Sequence, residues 1–412
     1  MRVLMVHDNA SEFAGAEVMI ASLRGALETR GHTVRVLAGN RHLSASRLSD
    51  FEFRAFADSS PLRALYYLYN PHACRRLREV LRTFQPQVVH LHNVQHASLA
   101  ALLPLRRYPT LLSAHDYTVI DPTGLDRIPA LAPYRDAVAG YFSRGISARF
   151  FWEKLRFALF RRLAANINLV VACSEHLKRV LEESQLFGPV ISLPNGVAQL
   201  GRTVPPAQPR LLFVGRLEPI KGLDQLLCAL PAILARQPQA RLMVVGDGSQ
   251  RPELEQLAGA LGVRQHVTFA GHVPRSEVAT YYRESSMLVM PGIWPEPFGL
   301  VGVEAMSAGR PVVASHAGGT AEWLQDGRDG FLVERRQPGQ IADRVLRLLA
   351  SRDLLLRMSR AAAHRAAEFS LEAYAAAMER IYEGLCQAGA EAAGRAAGRP
   401  RPTGFDALAR MP

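Results

Sequence analysis

The segment from Trp294 to Gly319 carries two carboxylates, Glu296 and Glu304, eight positions apart. Gly299 lies between them and precedes an apolar run, which indicates the start of a helix. The unpaired amides and positive dipole end of a helix N-terminus suit a diphosphate, which can approach closely over a glycine. A glutamate in the loop and another inside the helix could each accept hydrogen bonds from sugar hydroxyls. Either glutamate alone is as readily an ordinary solvated charge, but the combination favours a binding site.

Two cations, Arg216 and Lys221, closely follow the strand predicted at 211–214. Loops at the carboxyl ends of parallel strands are where such sheets meet their ligands. Two positive charges at this place could neutralise the charge that builds on a departing nucleoside diphosphate, as a metal ion does elsewhere. An isolated Arg and Lys are more often surface charges, and it is their position that favours a functional interpretation.

Histidines follow two strands predicted in the first half. The strand at 110–114 runs into His115, which could steer an acceptor hydroxyl or hydrogen-bond a donor sugar, although a lone histidine is more often structural. His90 and His92 lie at the end of another strand. With two imidazoles and no third ligand close in sequence, they do not predict a metal site, and we interpret them as architecture or as support for an acceptor loop.

Short apolar runs alternate with helical patterns along the chain, which is typical of parallel sheets built from βαβ units. The predicted strands lie at 3–6, 34–38, 88–91, 110–114 and 169–172, and then at 211–214, 242–245, 267–270, 287–290 and 311–315. A proline-rich stretch at 201–209 separates the two series. We therefore predict an α/β protein with two Rossmann-like, doubly wound domains facing a central cleft, with ligands at the carboxyl ends of the strands.

The composition narrows the class of protein. A chain of 412 residues exceeds the size at which one core keeps growing, which also predicts two domains. The 49 Lys and Arg residues against 37 Asp and Glu give a net charge of +12, which calls for an anionic partner. A nucleic acid would be one such partner, but no docking motif for it is apparent.

The cysteines and the apolar runs bear on location. The four cysteines form no CxxC pair, which argues against a zinc site or a disulfide framework and favours a reducing cytoplasm. The first apolar run is too short for a signal peptide. No stretch reaches the roughly 18 apolar residues that predict a membrane-spanning helix.

Taken together, these motifs resemble those of family 4 retaining glycosyltransferases, which have the GT-B fold, and the resemblance extends to about Leu385. The matching stretches are GRLEPIKG at 215–222, GDG at 246–248, FAGHVP at 269–274 and PEPFGLVGVEAMSAGRPVVAS at 295–315. The last stretch contains the family's E-x7-E pair. The GDG alone would be a weak signal, whereas the set is a specific one.

The resemblance implies a role for each matching residue of the second half. Arg216 and Lys221 would bind the diphosphate and stabilise its charge. Glu304 would hold the ribose hydroxyls and Glu296 would contact the transferred sugar. The turn that would close on the sugar and the phosphates consists of Phe298, Gly299 and Leu300.

Two features of the first half resemble the same family. His115 and Asp116 are similar to an HD found at this place, which favours a catalytic role for His115. The FAGAE segment at 13–17 resembles the glycine-rich GGAE loop, whose backbone lies close to the donor phosphates or the acceptor, so Gly15 is a candidate donor-binding residue. Ala14 replaces the first glycine, which leaves the conformation of this loop open.

The implied organisation has five parts. They are an acceptor-side domain at 1–200, a hinge linker at 201–209, a donor nucleotide-sugar-binding domain at 210–369, a helix returning to the N-terminal domain at 370–387 and a flexible tail at 388–412.

The implied function is a retaining hexosyltransferase that moves a sugar from a nucleoside-diphosphate sugar to a saccharide or lipid-linked acceptor, in surface polysaccharide or glycolipid biosynthesis. No D-x-D triplet occurs in the chain, so we expect transfer without a metal ion and without a cofactor. No residue is an evident nucleophile, which favours a front-face route in which the leaving phosphate helps deprotonate the acceptor hydroxyl. Two alternatives stay open: a nucleotide-sugar epimerase of related fold and a catalytically silent nucleotide-sugar-binding subunit.

Residues 134–163 are crowded with basic and aromatic side chains and hold few acids. Such a segment could rest on an anionic membrane surface and reach a lipid-linked saccharide. A surface helix whose aromatic side chains pack inward explains the pattern equally well. The expected location is the cytoplasm, either in solution or on the inner face of the cell membrane.

Overall fold

The computed structural model describes residues 1–10, 15–40, 48–55, 63–94, 97–120, 128–137 and 157–395. The chain divides into two compact units. Unit 1 comprises residues 1–133, 142–196 and 371–412, and unit 2 comprises residues 134–141 and 197–370. Each unit is built on one parallel sheet with helices.

The secondary structure of the described residues is regular. The strands are β1 Arg2–His7, β2 Thr33–Asn40, β3 Phe51–Arg54, β4 Val88–Leu91, β5 Thr110–Ala114, β6 Leu169–Ala172, β7 Val190–Ser192, β8 Arg210–Val214, β9 Arg241–Val245, β10 Val267–Gly271, β11 Met287–Met290, β12 Val312–Ser315 and β13 Gly330–Val333. The α-helices are α1 Gly15–Thr29, α2 Arg63–Leu68, α3 Pro71–Phe84, α4 Glu175–Glu183, α5 Leu223–Arg236, α6 Arg251–Ala260, α7 Arg275–Glu284, α8 Leu300–Ser307, α9 Thr320–Trp323, α10 Pro338–Ala350, α11 Arg352–Ala367 and α12 Leu371–Arg395.

In the described part of unit 1, the strands follow the order β3-β2-β1-β4-β5-β6-β7, and all neighbours pair in parallel. The order reverses direction between β1 and β4, where Val3 lies opposite Val34 on one side and Val88 on the other. The central strands are buried along their length, as expected for a parallel sheet covered on both faces.

The described part of unit 2 repeats this plan in the order β10-β9-β8-β11-β12-β13. Its direction reverses between β8 and β11. Leu212 and Val313 on the strands and Leu226 on α5 are among its fully buried apolar residues. At such a reversal point two neighbouring loops diverge above the strand ends and leave a crevice for a ligand.

The last helix, α12, belongs to unit 1, although it follows unit 2 in sequence. Its buried face includes Tyr374, Met378 and Tyr382. Glu379 on the same helix accepts from the Nε2 atom of His32 at 2.8 Å. The helix continues to Arg395, eight residues beyond the predicted helix end, because Ala and Arg are both strong helix formers.

The proline-rich stretch 201–209 lies within unit 2. The buried guanidinium of Arg310 donates to the Thr203 carbonyl oxygen at 2.8 Å, and Arg352 donates to the Pro206 carbonyl oxygen at 2.9 Å. Side-chain donors therefore satisfy backbone carbonyls of a stretch whose prolines lack amide donors of their own.

The two αβ series predicted from the sequence are confirmed. The predicted strands match observed ones to within a residue or two at each end. Three strands were not predicted: β3, β7 and β13, which lie at sheet edges. Edge strands pair on one side only, so their sequences need not form the continuous apolar run that marks a strand buried on both faces.

Candidate functional site

In unit 2, the loops after β8 and β11 are packed backbone against backbone. Gly222 has a φ of 67°, and a Cβ atom there would lie 2.1 Å from the Pro291 carbonyl oxygen. The Ile293 amide donates to the Ile220 carbonyl oxygen at 3.0 Å. Only glycine fits the first position, and this contact fixes the two loops relative to each other at the point where the strand order reverses.

This packing brings Lys221 and Glu296 together. The Lys221 Nζ atom lies 2.7 Å from Glu296 Oε2, and the two side chains are 27% and 20% exposed. The Glu296 carbonyl oxygen accepts from the Gly319 amide at 2.8 Å, which holds the loop in place. Arg216 is exposed in the same loop as Lys221 and makes no ion pair with the residues that the structure describes. The site thus presents one cation paired with a carboxylate and a second cation that can meet an anion.

The turn before α8 lies next to this pair. Gly299 has a φ of 94°, and a Cβ atom there would lie 3.4 Å from Glu296 Cγ. Phe298 is buried, and its carbonyl oxygen accepts from the Trp323 indole nitrogen. Leu300 begins α8, which has no side-chain cap within the described part of the chain. The N-terminal turn of α8 therefore retains amide donors and a positive dipole end beside the carboxylate, which suits an anionic ligand.

Glu304 is buried inside α8 and is already engaged. Its Oε2 atom accepts from an Arg275 Nη atom at 2.9 Å and from the Tyr282 hydroxyl at 2.9 Å, and Oε1 accepts from the second Nη atom of Arg275. Burial raises the pKa of Tyr282 well above its ordinary value, so this phenol stays a neutral donor. A ribose that binds Glu304 would have to share the carboxylate with the half-exposed Arg275 or displace it.

In unit 1, His115 follows β5 and meets His92, which follows β4. The Nε2 atom of His115 lies 2.9 Å from His92 Nδ1. Burial, with a contribution from His7, lowers the pKa of His115 from 6.5 to about 4. His90 is fully buried between the Tyr382 hydroxyl at 2.8 Å and the Ser113 hydroxyl at 2.7 Å. His115 is therefore neutral at physiological pH, and His90 has both ring nitrogens hydrogen-bonded.

Gly15 begins α1. Two residues later, the buried Glu17 carboxylate lies 2.9 Å from the Nε2 atom of His7, at the carboxyl end of β1. Phe13 and Ala14 of the same sequence motif lie outside the described residues. The structure thus places Gly15 and Glu17 at the same edge of the sheet as His115, since all follow the carboxyl ends of parallel strands.

The basic, aromatic segment 134–163 lies largely outside the described residues, which omit 138–156. At its start, the Tyr134 hydroxyl accepts from the Gly318 amide at 2.8 Å, and both residues belong to unit 2. At its end, Phe157 and Phe160 are buried. Within the described residues no helix has the length and apolar character needed to cross a membrane.

Two family models match the chain, one in each half. The model described as Glycosyltransferase Family 4 matches residues 13–198, and the model described as Glycosyl transferases group 1 matches residues 202–365. The chain belongs to glycosyltransferase family 4. This result confirms the family that the motifs indicated.

Relatives of this family 4 glycosyltransferase align over part of their length. A D-inositol 3-phosphate glycosyltransferase from Streptomyces bingchenggensis is 38% identical over 194 residues, which cover 45% of this chain and 42% of the relative. A second, from Nocardia farcinica, is 38% identical over 208 residues, which cover 47% of this chain and 46% of the relative. The chain thus spans less than half the length of these curated relatives.

Solved structures match over nearly the whole chain. A sucrose-phosphate synthase from Thermosynechococcus elongatus has a TM-score of 0.72 at 21% identity, covering 94% of this chain and 99% of that one. The structure of HepE from Anabaena in complex with UDP has a TM-score of 0.68 at 20% identity, covering 94% and 100%. At these identities the likeness shows the fold, and the predicted GT-B class is confirmed.

Several residues that lie at or next to the candidate site of this family 4 glycosyltransferase were not predicted from the sequence. Arg275 and Tyr282, which bind Glu304, are seven positions apart, two turns along one face of α7. That spacing was a usable signal. His7 is the last residue of β1, and His115 directly follows β5. The argument from strand ends that selected His115 would therefore also have selected His7.

Proposed function

We propose that this chain is a retaining hexosyltransferase that takes a sugar from a nucleoside-diphosphate sugar and passes it to a saccharide or lipid-linked acceptor, in surface polysaccharide or glycolipid biosynthesis. The observation that carries the proposal is the Lys221–Glu296 pair, together with the exposed Arg216 in the same loop as Lys221 and the N-terminus of α8. Cations, helix amides and a carboxylate at one strand-order reversal suit a ligand with a diphosphate at one end and hydroxyls at the other.

The transfer follows from these groups. The bond between the anomeric carbon and the phosphate oxygen breaks, and the bond to the acceptor oxygen forms on the same face. The acceptor proton passes to the leaving phosphate. Arg216 and Lys221 stabilise the charge on that phosphate, and Glu296 orients the sugar. His115, neutral in the folded protein, hydrogen-bonds a substrate hydroxyl.

We further propose that the reaction needs no metal ion and no cofactor, because two cations and the helix N-terminus supply the positive charge. Turnover in excess EDTA tests this directly. Activity that EDTA abolishes and manganese specifically restores would refute it.

Donor binding is tested by isothermal titration with UDP-glucose, GDP-mannose and ADP-glucose in EDTA. Replacing Lys221 by Met removes one charge-assisted hydrogen bond to the diphosphate, worth about 1.5–3 kcal/mol, and should weaken binding about 10- to 150-fold. Lys178→Met replaces a partly exposed lysine of α4 in unit 1, and this matched control should bind as the wild type does. Binding of none of the three donors would contradict the proposal for them, whereas binding without any turnover would favour the catalytically silent, nucleotide-sugar-binding subunit.

The product distinguishes the remaining alternatives. The tightest-binding donor is incubated with saccharides, lipid-linked saccharides and an inositol phosphate, the last because the curated relatives are named D-inositol 3-phosphate glycosyltransferases. The anomeric coupling constant in the proton NMR spectrum of the product reports retention. An altered sugar nucleotide formed without any acceptor would instead identify an epimerase.

A cytoplasmic location, on the inner face of the membrane, is also part of the proposal. The four cysteines are all free thiols, as a reducing compartment allows. Co-sedimentation with phosphatidylglycerol vesicles should require the basic residues of 134–163. Equal sedimentation after charge reversal of those residues would contradict the membrane contact.

A further inference from the structure

His92 and His115 share one hydrogen bond in unit 1. His92 Nδ1 and His115 Nε2 are 2.9 Å apart, and the two ring planes are nearly parallel, at 13°. His92 is 1% exposed, whereas His115 is half-buried. The His90 ring lies against His92 with centroids 4.0 Å apart, and His90 is itself held at both nitrogens. The His90 ring thus holds the His92 ring in place, and the hydrogen bond with His92 holds the Nε2 atom of His115.

A single proton lies between these two nitrogens. Burial lowers the pKa of His92 well below its ordinary value and that of His115 to about 4, so both rings are neutral at pH 7. A neutral imidazole carries its proton on one nitrogen only. A hydrogen bond between the rings therefore requires that one ring donates and the other accepts, and this choice sets the tautomer of both.

The surroundings of the Nε2 atom of His92 decide which of the two rings donates the hydrogen bond. The Nε2 atom of His92 is buried and has no hydrogen-bond partner among the described residues. If His115 donated, this Nε2 would carry an orphaned buried N–H group, which is rare in proteins, whereas an unpaired acceptor is tolerated more often. The favoured arrangement has His92 donating from Nδ1, which leaves the His115 proton on Nδ1.

We propose that His92 is a positioning residue that holds His115 in the tautomer presenting an Nδ1–H donor to a substrate oxygen. This role rests on the proposed function, in which His115 meets a substrate hydroxyl. Neither the E-x7-E segment nor the HD sequence reveals it, because it depends on the end of a different strand.

The test uses two isosteric variants with opposite hydrogen-bonding capacity. In His92→Asn the side-chain amide can still donate from about the position of Nδ1, whereas in His92→Asp the carboxylate can only accept. Nitrogen-15 NMR of histidine-labelled protein at pH 7.5 identifies which nitrogen of His115 carries the proton. Release of nucleoside diphosphate from UDP-glucose, GDP-mannose and ADP-glucose gives kcat and KM.

The wild type and His92→Asn should both show His115 protonated at Nδ1, with kcat values within about threefold of each other. His92→Asp should move the proton to Nε2 and lower kcat by about 10²-fold, with the donor KM unchanged, as expected for the loss of one hydrogen-bond donor that acts in the transition state. A wild-type spectrum with the proton on Nε2 would overturn the inference, and this measurement does not require either variant to fold.

The remaining outcomes separate this inference from the proposed function. A reversed tautomer in His92→Asp with undiminished kcat would overturn the positioning role. If the wild type turns over none of the three donors, the proposed function fails for them, while the spectra of the wild type and the variants still decide whether His92 sets the tautomer.

Discussion

The fully buried His90 should make unit 1 lose stability as the pH falls. Burial, with a contribution from His115, lowers the pKa of His90 from 6.5 to about 3 in the folded protein. Between these values the unfolded chain binds a proton that the folded chain does not bind, so stability rises with pH. The contribution is fully present above pH 6.5 and is lost progressively as the pH falls toward 3.

The size of the effect follows from the two pKa values. At pH 5, about 1.5 units below the pKa of the unfolded imidazole, protonation of the unfolded chain lowers the free energy of unfolding by about 2 kcal/mol. At pH 7 the same protonation lowers it by only about 0.2 kcal/mol. Replacing His90 by Gln removes the titrating group. The stability difference between wild type and His90→Gln should therefore shift by about 2 kcal/mol between pH 7 and pH 5, in favour of the variant at the lower pH.

The assay must report unit 1 separately. Met5 and Met19 are buried in this unit, so their oxidation by hydrogen peroxide along a urea gradient, read peptide by peptide by mass spectrometry, follows its unfolding. Carboxylates titrate in both proteins and cancel in the difference. A stability difference that is the same at pH 7 and pH 5 would show that His90 is not held neutral by burial, and the reasoning would fail.

Three further predictions concern the packing of the fold. Gly302→Ala would place a Cβ atom 2.2 Å from the Trp323 ring and should lower the free energy of unfolding, measured in urea, by about 1–3 kcal/mol. The control Gly259→Ala, whose Cβ atom would have no atom within 4 Å, should be neutral or stabilising by up to about 1 kcal/mol. Equal effects of the two substitutions would contradict the packing of Gly302 against Trp323. Tyr382→Phe leaves a buried imidazole nitrogen without its partner, so amide exchange in α12 should accelerate about 5- to 150-fold, which corresponds to about 1–3 kcal/mol, and unchanged exchange would mean that the hydroxyl does not anchor the helix. Ser174→Ala removes the oxygen that accepts from the amide three residues on and should cost about 1 kcal/mol, seen as faster exchange in the first turn of α4 and not in α3.

Local patterns in the sequence were enough for the strands that build the two sheets and for the loops that follow them. The runs at 88–91 and 110–114 are short, mostly apolar and buried along their length, so their local composition marks them. Because parallel strands share a direction, the residues after them fall at one edge of each sheet. This is why the positions of Arg216, Lys221 and His115 along the chain made them candidates, before the family resemblance favoured a catalytic role for His115.

The tertiary structure alone decided how those residues are paired. Glu304 was selected for its spacing from Glu296, yet its hydrogen bonds come from Arg275 and Tyr282 on another helix. The partner of Lys221 is 75 positions away in sequence. Such pairs are set by which loops and helices pack together, and no local periodicity records that packing.

The sequence by itself thus determined the two αβ series, the family and the strand ends that carry the candidate site residues, because these depend on local alternation of apolar and polar residues and on contiguous motifs. Only the tertiary structure decided that His92 faces His115 and that Arg275 binds Glu304, since both depend on contacts between distant segments. The protonation of the buried imidazoles follows from those contacts, because burial and hydrogen-bond partners set a pKa and a tautomer whereas residue type sets only their starting values.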